Sequence, residues 1–200
     1  MVTKYHQGIL IPTFLCFRSS KPKTELEPLV VALEKGNIRE DKILSDFTVV
    51  SQEGKPFSCH RLFLATQSPV MMAMMTNDMK EKEESELKLE YNEEVVEHFV
   101  DFFYTGKVSP KILEKNVESF LGLAERFFLK PLKDQTEEAA INKMTVENML
   151  SMFALADLYN AENLKEVSRL FIKENRNVLK DQDLSEVPNN VCSEVVKLLC

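Results

Sequence analysis

The chain has 200 residues, 44% of them hydrophobic, which suffices for one domain of ordinary size or one small domain with a helical extension. Its formal charge of −7, with no basic run, argues against direct nucleic-acid binding, because that affinity rests on lysines and arginines neutralising phosphates. Cys16, Cys59, Cys192 and Cys200 are scattered without a Cys-x-x-Cys pair, as expected of free thiols in the reducing environment of an intracellular protein.

The run Ile9-Leu10-Ile11-Pro12-Thr13-Phe14-Leu15-Cys16-Phe17 is apolar but far too short to span a bilayer, and Pro12 interrupts it, so no membrane association is expected. Residues 1–24 read as a tail, docking or poorly ordered. Leu26, Leu29, Val30 and Leu33 then recur at i, i+3, i+4 and i+7, one stripe of a short amphipathic helix ending at Gly36. So short a helix needs a surface to pack on, either its own domain or a second subunit.

Ser45-Asp46-Phe47-Thr48-Val49-Val50 is apolar and β-branched, Glu53-Gly54 supplies a permissive turn, and Lys55-Pro56-Phe57 starts a return strand. The hairpin runs into a helical turn at His60-Arg61, in which Leu62, Leu64 and Ala65 are expected to be buried. Asp46 and Arg61 flank the hairpin, either as a buried ion pair or as two solvated charges. Met71, Met72, Met74 and Met75 follow Pro69; core filling is the favoured role for Met71 and Met75, with a plastic partner surface as the alternative. Glu86-Leu87-Lys88-Leu89-Glu90 alternates like a half-buried strand. Asn92 caps a helix with Val95, Phe99, Phe102 and Phe103 on one face, and Gly106 stands at its C-terminal end.

From Leu113 the chain reads as helical, with an internal echo. Leu123-Ala124-Glu125-x-Phe127-x-Leu129-x-x-Leu132-Lys133 reappears as Leu155-Ala156-Asp157-x-Tyr159-x-Ala161-x-x-Leu164-Lys165 at one constant offset. Two stacked helical hairpins sharing one packing rule are expected, the second opening at Thr145 as N-cap with Glu147 in its first turn. Val191, Val195, Val196, Leu198 and Leu199 would make a last amphipathic helix after Pro188-Asn189-Asn190.

Chemistry is sparse. The five glycines, Gly8, Gly36, Gly54, Gly106 and Gly122, are too dispersed for a phosphate-wrapping loop, and His6, His60 and His98 lie far apart, so neither a nucleotide cofactor nor a metal is expected. Asp46, His60 and Ser68 can be written as a triad, but no strained nucleophile elbow or oxyanion loop accompanies them, and His60 reads as a structural histidine. No catalytic residue is assigned.

Asp46, Phe57, His60, Arg61, Leu64, Ala65, Ser68, Tyr104 and Gly106, in that order, resemble the BTB (POZ) family, and within it the adaptor branch typified by the speckle-type POZ protein. The resemblance implies an α+β fold, a small β-sheet flanked by helices, over residues 25–143. Residues 144–200 then resemble the helical 3-box and partial BACK region of cullin adaptors. It further implies dimerisation with itself or another BTB protein, through Leu26, Leu29, Val30 and Leu33 with Asp46 and Arg61 near the interface. For the cullin-3 N-terminal domain it implies contacts at Met79-x-Glu81, in a loop after the methionine helix, and near Phe127 and Phe128. The alternative for Met79 is burial beside a solvated charge run; core packing competes for both rings, most strongly for Phe128. Phe127 stands where those adaptors usually have tyrosine, a loss of one hydrogen bond worth on the order of 1 kcal/mol. Those adaptors place a substrate-binding MATH domain before the BTB domain, and residues 1–24 are too few for one, so substrate recruitment by that route is not expected and no substrate is assigned. Two functions follow: a non-catalytic cullin-3 ubiquitin-ligase adaptor, or a BTB homo- or heterodimerisation scaffold that binds no cullin.

Overall fold

The computed structural model describes residues 5–6, 9–10, 39, 45–77 and 80–179. The stripe of Leu26, Leu29, Val30 and Leu33, together with Met79 and the C-terminal stripe from Val191 to Leu199, lies outside the described residues. Two short strands come first, β1 (Tyr5–His6) and β2 (Ile9–Leu10), paired antiparallel within the segment expected to be a tail.

The expected hairpin is β3 (Phe47–Val50) and β4 (Pro56–Cys59), with Phe47 opposite Cys59 and Val49 opposite Phe57. Gly54 closes it at φ +85°, a left-handed backbone that costs glycine nothing, and its N–H donates to Ser51 O at 2.9 Å. After a crossover through α1 (Arg61–Gln67), α2 (Pro69–Thr76) and α3 (Lys80–Glu84), β5 (Glu86–Lys88) joins β3 in parallel, giving the order β4-β3-β5. Directly opposed residues share a face, so Phe47, Val49, Phe57, Cys59 and Leu87 all point into one core.

Helix α4 (Glu93–Thr105) fills that core as its sequence dictates. The Asn92 side chain accepts from Val95 N at 3.0 Å, Gly106 ends the helix at φ +68°, and Val95, Val96, Phe99, Val100, Phe102 and Phe103 are all buried. Gln135 then ties the exit loop to a later helix. Its amide donates to Gly106 O at 2.9 Å and accepts from Val108 N at 3.1 Å.

The rest is helical: α5 (Pro110–Lys115), α6 (Val117–Arg126), α7 (Lys130–Asn142), α8 (Met149–Leu158), α9 (Glu162–Glu174) and α10 (Arg176–Leu179). The internal echo maps onto α6–α7 and α8–α9 bond by bond. Leu129 N donates to Ala124 O at 2.8 Å, as Ala161 N does to Ala156 O. Glu125 pairs with Lys133 at 2.6 Å, as Asp157 pairs with Lys165 at 2.5 Å. Both turns pivot on a left-handed non-glycine residue, Phe128 at φ +52° and Asn160 at φ +50°. Each is a Schellman ending, in which the sixth N–H reaches back to the first carbonyl of the last turn. The hairpins share a core made of Val117, Leu121 and Ala140 with Ala156, Ala161 and Leu164.

Two expectations are corrected here. Leu62 is 68% exposed, because Leu64 alone of its helix is turned fully inward. The second hairpin starts at Met149 rather than after a Thr145 cap: Asn148 Oδ1 accepts from Thr145 N at 2.7 Å, closing a tight turn before the helix. Within that turn the hydrogen bond from Thr145 holds the Glu147 carboxyl below its ordinary pKa.

Glu137 on α7 joins the two hairpins. It is 3% exposed, and its Oε2 accepts from Leu164 N at 3.1 Å, in the first turn of α9, whose own N-cap residue Ala161 has no side-chain acceptor. Burial pushes the Glu137 pKa up, against the opposing pull of the hydrogen bonds from Leu164 and Asn163. A carboxyl with a raised folded-state pKa contributes its stability fully below the unfolded value, and loses it as pH rises through the folded value. Stability of the wild type relative to Glu137→Gln, which keeps the acceptor and lacks the charge, is therefore expected to fall as pH rises above the ordinary carboxyl range, in melts across acid to neutral pH. Glu137→Leu, which strands the N–H, should cost roughly 1–3 kcal/mol.

Candidate protein-binding surface

The buried polar network around His60 is structural. Tyr104 Oη accepts the His60 backbone N–H at 3.0 Å and is hydrogen-bonded to His60 Nδ1 at 2.7 Å, while the rings of His60, Phe63 and Tyr104 stack edge-on and tilted. Burial pushes the Tyr104 phenol up to about 12 and the neighbouring Cys59 thiol to about 12, so neither ionises near neutrality. His60 thereby fills the structural role the sequence suggests.

Asp46 is exposed, so the buried version of the Asp46–Arg61 pair is corrected. Its Oδ1 accepts from Arg61 N at 2.8 Å, supplying the first turn of α1 with the cap that the His60 side chain does not provide. The Arg61 guanidinium donates to Asp46 O at 3.3 Å and to Ser85 Oγ at 2.6 Å, and lies over the Phe47 ring. These two residues lock the hairpin to α1 and to the start of β5.

Ser68 is 1% exposed and equally committed. Its oxygen accepts from Met71 N at 3.1 Å, capping α2, and its hydroxyl donates to Phe127 O at 2.7 Å. Asp46, His60 and Ser68 thus each hold a separate structural partner, and the nominal triad has no shared hydrogen-bond relay among them. Among the described residues no cluster of three His, Cys, Asp or Glu side chains is placed to hold a metal, and no helix is long and apolar enough to cross a membrane.

The Ser68–Phe127 bond brings the start of α2 against the α6–α7 turn, and there the two phenylalanines, both expected at a partner contact with core packing as the alternative, part ways. Phe127 is fully buried, its ring 5.4 Å from that of Phe99, so the hydroxyl it lacks is no lost surface contact. Phe128, expected at a cullin contact with core packing as the strong alternative, is 69% exposed. The left-handed residue of a Schellman turn points away from the helix it ends, which turns one ring in and the next out. Phe128 borders a shallow apolar groove with Pro69, Val70, Ala73 and Met74. Met71 and Met75 are buried as expected, while Met72 is 43% exposed and Met74 half-buried on the groove side. Glu81 is half-buried in the first turn of α3 rather than in a loop. The groove could be foreseen only in part: the methionines mark α2, but no periodicity separates Phe127 from Phe128.

A three-stranded sheet flanked by helices, followed by paired helical hairpins, defines an α+β domain of the BTB type. The BTB/POZ family model matches residues 36–144, more than half of the chain, and the chain belongs to that family. BTB domains are generally non-catalytic protein-interaction modules, and BTB proteins dimerise. The chain is also similar to the zebrafish (Danio rerio) Kelch repeat and BTB domain-containing protein 8, at 33% identity over 131 residues, 65% of this chain and 22% of that protein. It therefore spans only about a fifth of the length of that relative.

Ser68 decides whether its hydroxyl serves chemistry or architecture. Ser68→Ala removes a helix cap and strands a carbonyl, so a loss of about 1–3 kcal/mol is expected in denaturant titration, with no labelling of the wild type by serine-directed probes.

Proposed function

We propose that this chain is a non-catalytic adaptor of a ubiquitin ligase, dimerising through its BTB domain and binding the N-terminal domain of cullin-3 across the groove between α2 and Phe128. The α8–α9 hairpin serves as the 3-box in this reading, and the setting is intracellular. Dimerisation involves the Leu26, Leu29, Val30 and Leu33 stripe with Asp46 and Arg61 nearby, with itself or with another BTB protein. Met79 and Glu81 flank the cullin site. Phe127 acts from the core, by setting the turn.

The observation that carries the proposal is the conformation of Phe128. A bulky residue in the left-handed region costs roughly 1–2 kcal/mol, whereas asparagine tolerates it. The equivalent turn of the second hairpin uses Asn160 at nearly the same φ, so folding alone favours asparagine at this place. Phenylalanine here holds a rigid aromatic ring at the edge of an apolar groove, the form of an interface anchor.

Folding and binding should therefore separate in one substitution. Phe128→Asn is expected to leave the melting temperature unchanged or raise it slightly, while weakening the cullin-3 N-terminal domain about thirtyfold in calorimetric titration. Absence of wild-type binding at roughly tens of micromolar would retire the adaptor in favour of a dimerisation scaffold.

A further inference from the structure

Helix α2 carries methionine at four of its eight positions, Met71, Met72, Met74 and Met75. Met71 and Met75, one turn apart, are 0% and 8% exposed, and there an unbranched side chain fills irregular space in the core. The other two reach solvent. Met72 is 43% exposed, and Met74 is half-buried and lines the open groove with Pro69, Val70, Ala73 and Phe128. Leucine matches methionine in helix propensity and in apolar bulk, so neither helix formation nor burial selects methionine over leucine at these two places. What methionine adds is a thioether sulfur with reactive lone pairs.

We propose that Met74 is an oxidation site that controls the groove beside Phe128, with a peroxide as the oxidant. The sulfur lone pair attacks one peroxide oxygen, and the O–O bond breaks as the S–O bond forms. The proton of the transferred hydroxyl passes to the departing hydroxide, which leaves as water, and the thioether is left as a sulfoxide. Sulfur loses two electrons and the peroxide gains them, so the step balances with no further reactant. The product sets a polar oxygen in an apolar groove whose lining side chains, from Pro69, Val70, Ala73 and Phe128, carry no hydrogen-bond donor. A partner covering Met74 then strips water from that oxygen without replacing the hydrogen bond, and binding weakens. The inference rests on the adaptor reading above, in which this groove receives the cullin-3 N-terminal domain.

Burial makes the reaction selective within one helix. Peroxide reaches Met72 and Met74 through water, whereas Met71 and Met75 react only when the core opens. Met72 is an internal control, since it is accessible but lies outside the groove lining, and its oxidation leaves the groove apolar. The change is also reversible. A methionine sulfoxide reductase returns the thioether, oxidising a dithiol to a disulfide as the oxygen leaves as water.

Treatment of the folded full chain with hydrogen peroxide tests the proposal, with fragment-ion mass spectrometry to place each oxygen and calorimetric titration of the cullin-3 N-terminal domain afterwards. Met72 and Met74 are expected to gain oxygen about tenfold or more faster than Met71 and Met75. Oxidation at Met74 should weaken the cullin-3 domain about tenfold or more, and methionine sulfoxide reductase should restore the binding. Met72→Leu is expected to keep this sensitivity, and Met74→Leu, measured against its own untreated affinity, to lose it. Equal rates at all four methionines would overturn the proposal, as would undiminished binding with Met74 fully oxidised, or sensitivity that persists in Met74→Leu. An untreated chain that binds no cullin-3 domain retires the adaptor reading and this inference with it, whereas binding that ignores oxidation retires this inference alone.

Discussion

The hydrogen bond from the Ser68 hydroxyl to the Phe127 carbonyl joins the two halves of this molecule. On one side it stands at the start of α2, whose cap is the same oxygen; on the other it fixes the turn between α6 and α7. Both partners are buried, so the bond forms in a low-dielectric setting where a stranded carbonyl is costly. It sets the distance between the methionine helix and Phe128, and so makes the apolar groove a fixed feature of the fold. The Gln135 clamp on Gly106 and Val108 performs a similar service at the end of α4.

Duplication supplies a built-in control. The two hairpins share turn geometry, the acidic-basic pair across the turn, and a hydroxyl bonded to the carbonyl four residues back, Thr136 to Leu132 and Ser168 to Leu164. Where they agree, the feature belongs to the packing rule. They differ at the left-handed position, phenylalanine in one and asparagine in the other. That difference sets Phe128 apart as a residue folding alone does not favour.

What could be read from the sequence was whatever is decided within a few residues. Gly54, the Asn92 cap, the Gly106 stop and the alternation around Val49 and Leu87 are local, and all stand where expected. The echo was legible because packing rules repeat. Phe127 and Phe128 were not separable, since adjacent apolar residues in a turn share no period, and a single left-handed residue reverses which one is buried. The clue was present in the alignment of the repeats, which sets Phe128 against Asn160, a residue suited to an exposed left-handed site. Leu62 and Thr145 failed for a related reason: helix phase and helix start are set by Asp46 reaching Arg61 and by Asn148 closing its turn, neither of which is visible in a periodic pattern. Glu137 gave no signal, because a charged residue on a helix gives no sign in sequence that it caps another.

The central claim is that the face formed by α2 and Phe128 receives a partner. Methyl-labelled methionine spectra, recorded while the cullin-3 N-terminal domain is added, test it within one helix. The account predicts that the methyl resonance of Met74, which lines the groove, shifts or broadens while those of Met71 and Met75, sealed in the core, keep their positions. Spectra unchanged at roughly tens of micromolar partner, or binding that leaves Met74 untouched, would contradict it.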